Sequence, residues 1–302
     1  MSDHQGGAIR EEPMAGESEG LLAAEPAARR DGPASRACSV PALGRIAEPR
    51  RHARAADRPV EWLIAEEVPV AMVYNGRSRM VMMASPADLE DFGIGFSVTE
   101  EIITRAEDIE AIEVVSHDDG FAIEMTVDME RVAKWRLKRR GITGRTGCGL
   151  CGVSTLRDAV RKPHRIEAPL AVGRAAAERA LAALPDWQPM NSENRSVHAA
   201  AWCSPDGEIL EAREDVGRHN ALDKLIGSLL RSGRDPSAGF VALSSRCSFE
   251  LVQKAAAVGV PYLVTISAPT VMALSLAEAA GMRLAARAPD GIIEFDGVAQ
   301  RN

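Results

Sequence analysis

The chain has 302 residues, 46% hydrophobic and 26% charged, enough for one large domain or two ordinary ones around a packed core. A net charge of -7 argues against a general nucleic-acid binder, and four Trp with two Tyr are too few for a row of base-stacking platforms. Five cysteines do not make a secreted disulfide scaffold, no apolar leader stands among the early glutamates, and no apolar run reaches the about 18 residues of a membrane span, so a reducing cytoplasm is expected.

Residues 1–57, rich in Ala, Gly, Pro, Glu and Arg, bury too little apolar area to offset their ordering entropy and are expected to be a disordered tail. Order is expected near Val60. The run VPVAMVY (68–74), Asn75-Gly76 and SRMVMMA (78–84) spell a hairpin with a type I′ turn. Ser85-Pro86 reads as N-cap and first helical residue of a helix through Leu89, Phe92 and Phe96 to about Ile103. A second hairpin joins 109–117 to 121–127, and 129–140 reads as a helix.

After a linker at about 162–172, a helix is expected over 174–184, then strands at 196–203 and 208–213 and a helix from Arg218. The last third alternates: strand 239–245, helix 247–259, strand 261–267, helix 270–281. That pattern predicts a parallel pair with right-handed crossovers. The fold class read from this is mixed, α+β followed by α/β. It gives a tail (1–57), a smaller N-terminal α+β domain (58–165) and a C-terminal α/β domain (166–302).

Two strand-to-helix junctions, Ser244-Ser245-Arg246 and Ser267-Ala268-Pro269-Thr270, should open at one sheet edge. Ser245, Arg246 and Thr270 there offer hydroxyls, a charge and helix N-termini, a phosphate site without a P-loop, although ordinary N-capping explains the hydroxyls as well. The polar run REDVGRHNALDK (213–224) adds Arg218 and His219 as candidate ligand contacts.

GRTGCGLCGV (144–153) holds Cys148 and Cys151 among four glycines. It follows a stretch, Arg131 to Arg145, with basic residues at 131, 134, 136, 138, 139, 140 and 145 and no acidic ones. A cationic surround favours thiolate. Three chemistries compete for the pair: a metal knuckle, a redox dithiol and a sulfur-carrying arm. Structural zinc wants four ligands, and Cys38, Cys203 and Cys247 stand alone. A zinc deaminase needs H-x-E and a later P-C-x-x-C, but His198-Ala199-Ala200 lacks the Glu. No metal site is expected. A redox centre would cap a helix, whereas the glycines favour reach.

The blocks VPVAMVYNG, VMMASPADLEDFGIGFSVTEEII, GRTGCGLCGV, HAAAW, EDVGRHNALDKLIG, SSRCSFELVQKAA and SAPTVMALSLAE, in this order over about 60–286, resemble the FdhD family, accessory sulfurtransferases of formate dehydrogenase. The resemblance implies a cytoplasmic homodimer that takes persulfide sulfur from a cysteine desulfurase. It implies delivery to the molybdenum bis(molybdopterin guanine dinucleotide) cofactor, carried as cargo for formate dehydrogenase. It implies Cys148 as persulfide carrier with Cys151 as its partner, and a later domain similar to cytidine deaminase without the zinc signature. It also implies cofactor binding by a segment after the last helix, here Arg287, Ala288, Pro289, Asp290, Gly291 and Ile292. That segment departs from the family pattern, with Arg first, Asp290 inside and Ile last. The rival reading is a cofactor-binding chaperone whose cysteines are structural.

Overall fold

The computed structural model describes residues 50–55, 58–128, 161–166 and 170–295. It begins with an antiparallel pair, β1 (Arg50–Ala55) and β2 (Arg58–Leu63), so regular structure starts upstream of Val60, carried by the backbone ladder from Arg50↔Leu63 to Ala55↔Arg58.

The next strands are β3 (Val68–Tyr74) and β4 (Arg77–Ala84), joined as the sequence predicts through Asn75 at φ 48 and Gly76 at φ 70. With β5 (Ile109–His117) and β6 (Gly120–Val127) they form a four-stranded sheet ordered β4-β3-β6-β5, in which β3 and β6 run parallel. Helix α1 (Leu89–Thr99) lays Phe92 and Phe96 on this sheet against Met72, Ile123 and Met125.

The helix does not begin at Ser85-Pro86. Every polar group of Ser85 is taken elsewhere: its N–H donates to Asp215 Oδ2 (2.9 Å), its Oγ accepts from the Val216 N–H (3.1 Å) and its carbonyl accepts from Lys224 Nζ (2.9 Å). Nor does it reach Ile103. Glu101 turns left-handed at φ 57, and the N–H groups of Glu101 and Ile102 close a Schellman motif onto the carbonyls of Val98 and Ser97.

The second half opens with α2 (Arg174–Ala183) and the short α3 (Pro189–Asn194). There follow β7 (His198–Cys203), β8 (Ile209–Asp215), α4 (Arg218–Arg231), β9 (Phe240–Arg246), α5 (Phe249–Ala257), β10 (Tyr262–Ser267) and α6 (Val271–Ala280). The last two strands are β11 (Arg283–Ala288) and β12 (Gly291–Phe295). The six-stranded sheet is ordered β12-β11-β10-β9-β7-β8, with β9, β10 and β11 parallel and the other pairs antiparallel.

Strand alternation splits the core into two layers. On β9, Val241 and Leu243 face α4, α5 and α6 with Leu222, Leu251 and Leu276, while Phe240 and Ala242 face α2 with Leu181 and Ile292. The predicted β9–α5–β10–α6 alternation is present. The β11–β12 hairpin and α3 were not read from the sequence: RLAARA is mostly Ala and Arg, and PMNSEN is a single turn with no apolar face.

Candidate functional site

Parallel β9, β10 and β11 all end at one edge of the six-stranded sheet. Because β7 runs against β9, it starts there at His198, and β8 finishes there at Asp215, which pairs with His198. Helices α4, α5 and α6 follow β8, β9 and β10, so their positive N-terminal ends gather at the same edge. The junctions read from sequence therefore do converge, and they converge with Arg218 and His219.

The edge is crowded with positive groups. Arg218 is half buried, and its Nε has no hydrogen-bond partner among the described residues. Burial first, then the charge of Arg246, lowers its pKa, while Glu250 opposes. Beside it, His198 is pushed down by burial and then by Arg218 and His219, against a raising influence from Asp215. His219 is buried, with Nε2 3.4 Å from Ser248 Oγ and 3.8 Å from Glu250 Oε2. Burial works to raise the Glu250 carboxyl, but the neighbouring His219 imidazole, Ser248 and its own N–H, with the His219 charge, bring it down to about 2. An anion beside Arg218 and Arg246 would offset the influences that lower Arg218.

The hydroxyls serve the fold. Thr270 caps α6, its Oγ1 accepting from the Ala273 N–H (3.2 Å), and Ser245 Oγ donates to the Arg246 carbonyl (3.0 Å). Ser244 Oγ accepts from the Ala199 N–H (2.7 Å), locking β7 onto β9.

The stretch Arg287 to Ile292 is the β11–β12 hairpin at the same edge, where Ala288 pairs with Gly291 and Arg287 with Ile292. It is split between solvent and core: Arg287, Pro289 and Asp290 are exposed, whereas Ile292 packs under α2. Gly291, at φ 114, passes so close to α2 that a Cβ would lie 2.8 Å from Glu178 Oε1.

Cys148, Cys151 and the basic stretch 131–145 lie outside the described residues. Cys203 and Cys247 are buried, and burial pushes both thiols up to about 12. Among the described residues, no group of three or more His, Cys, Asp or Glu is placed to hold a metal ion, and no helix is long and apolar enough to cross a membrane. Sequence reading passed over His198, Ser248 and Glu250. A serine and an acid at a helix start look like ordinary capping, and only the fold brings His219 to them.

Comparison with known proteins gives a consistent result. The model of the FdhD/NarQ family matches residues 65–294. A protein of Cupriavidus necator named sulfur carrier protein FdhD is 46% identical over 222 residues, covering 74% of this chain and 77% of its own. A protein of the same name from Xanthomonas euvesicatoria pv. vesicatoria is 44% identical over 241 residues, covering 80% and 86%. In fold, the chain is similar to a crystal structure assigned as a formate dehydrogenase accessory protein from Desulfotalea psychrophila. The TM-score is 0.65 at 24% identity, over 82% of this chain and 96% of that one.

Proposed function

The chain belongs to the FdhD/NarQ family, and from that premise we propose that it is a sulfur carrier serving the maturation of a formate dehydrogenase. Cys148 is the carrier. Its thiolate attacks the outer sulfur of a persulfide on a cysteine desulfurase. The donor S–S bond breaks, a new S–S bond forms on Cys148, and the donor cysteine leaves as thiolate, with no net redox change. Cys151 then attacks the inner sulfur of the Cys148 persulfide. A disulfide forms, hydrosulfide departs to the acceptor, and a cellular thiol reduces the disulfide for the next cycle. The acceptor is molybdenum bis(molybdopterin guanine dinucleotide), held as cargo by its phosphates at the edge of Arg218, His219 and Arg246. The protein works in the cytoplasm as a homodimer, and the likeness of its later domain to cytidine deaminases belongs to the same reading.

The observation that carries this is the fate of the described thiols. Relatives at 44–46% identity are named sulfur carriers. A sulfur carrier needs a thiolate, and Cys203 and Cys247, buried with thiols pushed up to about 12, do not supply one. That supports the pair Cys148 and Cys151.

The test is intact mass under non-reducing conditions after incubation with a cysteine desulfurase and cysteine. A gain of one or more sulfur atoms that persists in Cys247→Ser and vanishes in Cys148→Ala is expected. No gain in any form would leave a cofactor-binding chaperone as the better reading. If Cys151→Ser released its sulfur at the wild-type rate, the role given to Cys151 would be wrong.

A further inference from the structure

Helix α4 carries Arg218 and His219 to the edge, yet its own start is bare. Its N-cap is Gly217, which has no side chain to accept from the first turn. What holds the start is the carboxylate of Asp215, which is fully buried. It accepts from Lys224 Nζ (2.6 Å), the Gly217 N–H (2.7 Å), Asn220 Nδ2 (2.9 Å) and the Ser85 N–H (2.9 Å). Ser85 belongs to the loop after β4, in the other sheet. It returns the contact twice, through Oγ to the Val216 N–H and through its carbonyl to Lys224. Asn220 also donates to the Met83 carbonyl (2.9 Å) on that strand.

Gly217 explains itself in the same terms. Its backbone, φ -101 and ψ 121, suits any residue. What the missing side chain provides is room, because a Cβ there would lie 2.9 Å from Asn220 Nδ2, the amide bonded to Asp215. A buried, fully satisfied polar hub of this kind adds little net stability over apolar packing, but it fixes one geometry.

We propose that Ser85 and Asp215 are positioning residues for anion binding. They clamp the turn Asp215–Gly217 to the four-stranded sheet and so set where Arg218 and His219 stand at the edge of the six-stranded one. This rests on the reading that the edge holds phosphates. Ser85 takes no part in the edge itself, so its effect passes through the backbone.

The test uses the full chain, with GDP as probe, in Ser85→Ala and Gly217→Ala. Both leave every charge in place. Arg218→Ala is the contact control. Three quantities are read: GDP affinity by calorimetry, its dependence on salt, and hydrogen exchange of the Val216–Asn220 amides without ligand. The clamp variants are expected to weaken GDP about tenfold, as the loss of outer partners does at other ion sites, with the salt slope unchanged and amide exchange accelerated. Arg218→Ala is expected to lower the salt slope and leave exchange as in wild type. Clamp variants that bind GDP like wild type would overturn the proposal, whether or not exchange speeds up. Wild-type protein that ignores GDP would overturn the edge reading itself, and unaccelerated exchange in the variants would then sink the clamp separately.

Discussion

Glu250, in the first turn of α5, is held ionised by its neighbours against its own burial. Its carboxyl falls from the ordinary 4.5 to about 2. A carboxyl with a depressed folded pKa contributes stability that is fully present above its unfolded pKa and lost as pH falls through the folded one. Glu250→Gln should therefore unfold at a lower temperature than wild type near pH 6, with the gap closing as pH is taken from about 4.5 toward 2. Thermal midpoints measured side by side would show it, and a gap that does not change with pH would mean the carboxylate is not held by His219 and Ser248. Cys203 and Cys247 make the opposite case. Nothing offsets their burial enough to free a thiolate, so both should resist iodoacetamide at pH 8 in the native protein and react once it is denatured. Peptide mapping after timed alkylation checks this, and rapid native labelling of either would remove the argument that directs the carried sulfur to Cys148 and Cys151.

Helices α1 and α4 meet backbone to backbone. A Cβ at Gly95 would strike the Asp223 carbonyl oxygen, and one at Gly227 would strike the Asp91 carbonyl oxygen. Glycine costs a helix about 1 kcal/mol against alanine in an open position. Here the sign reverses: Gly95→Ala and Gly227→Ala should each destabilise by about 3 kcal/mol or more, because the helices must separate to admit a methyl group. Urea midpoints near wild type would show that the crossing is looser than the structure has it. This crossing was invisible in the sequence, where GIGF reads as an ordinary part of an apolar helix. Regular elements with a strong period or a turn signature were legible, such as the Asn75-Gly76 hairpin and the β9–α5–β10–α6 run. Boundaries set by distant partners were not. Ser85 looks like an N-cap until Asp215 and Lys224, some 130 residues on, claim its polar groups. The cationic edge was half legible. Arg218, His219 and Arg246 stood out by type, but Glu250 and His198 acquire a role only through strand order.

On the scale of the molecule, the two sheets are joined by buried charge as well as by that crossing. Lys254, on α5, is 3% exposed and reaches both Asp223 on α4 (2.8 Å) and Glu100 at the end of α1 (3.1 Å). Burial works to raise the Asp223 pKa, and the Lys254 ammonium and the Thr99 hydroxyl oppose it. Glu100 has a second cation, Arg161 (3.2 Å), so it keeps a partner if Lys254 is lost, whereas among the described residues Asp223 keeps only Thr99 Oγ1 (2.7 Å). Removing one side of a buried pair leaves a desolvated charge and costs about 3–5 kcal/mol, while replacing both sides with apolar groups of similar size is often neutral. Lys254→Met should lower stability by about that amount, and Asp223→Leu by less, because Lys254 keeps Glu100. The double variant should recover most of it, giving a coupling of opposite sign to the single losses. A double-mutant cycle from urea unfolding, followed by both tryptophan fluorescence and far-ultraviolet circular dichroism, measures this. Because the network and the Gly95–Gly227 crossing both tie α1 to α4, the two signals should fall together in wild type and in the double variant. They should part in Lys254→Met, if the buried carboxylate loosens the contact between sheets before either sheet melts. Single variants that add without coupling would mean that the network is only an ornament on an interface held by packing alone.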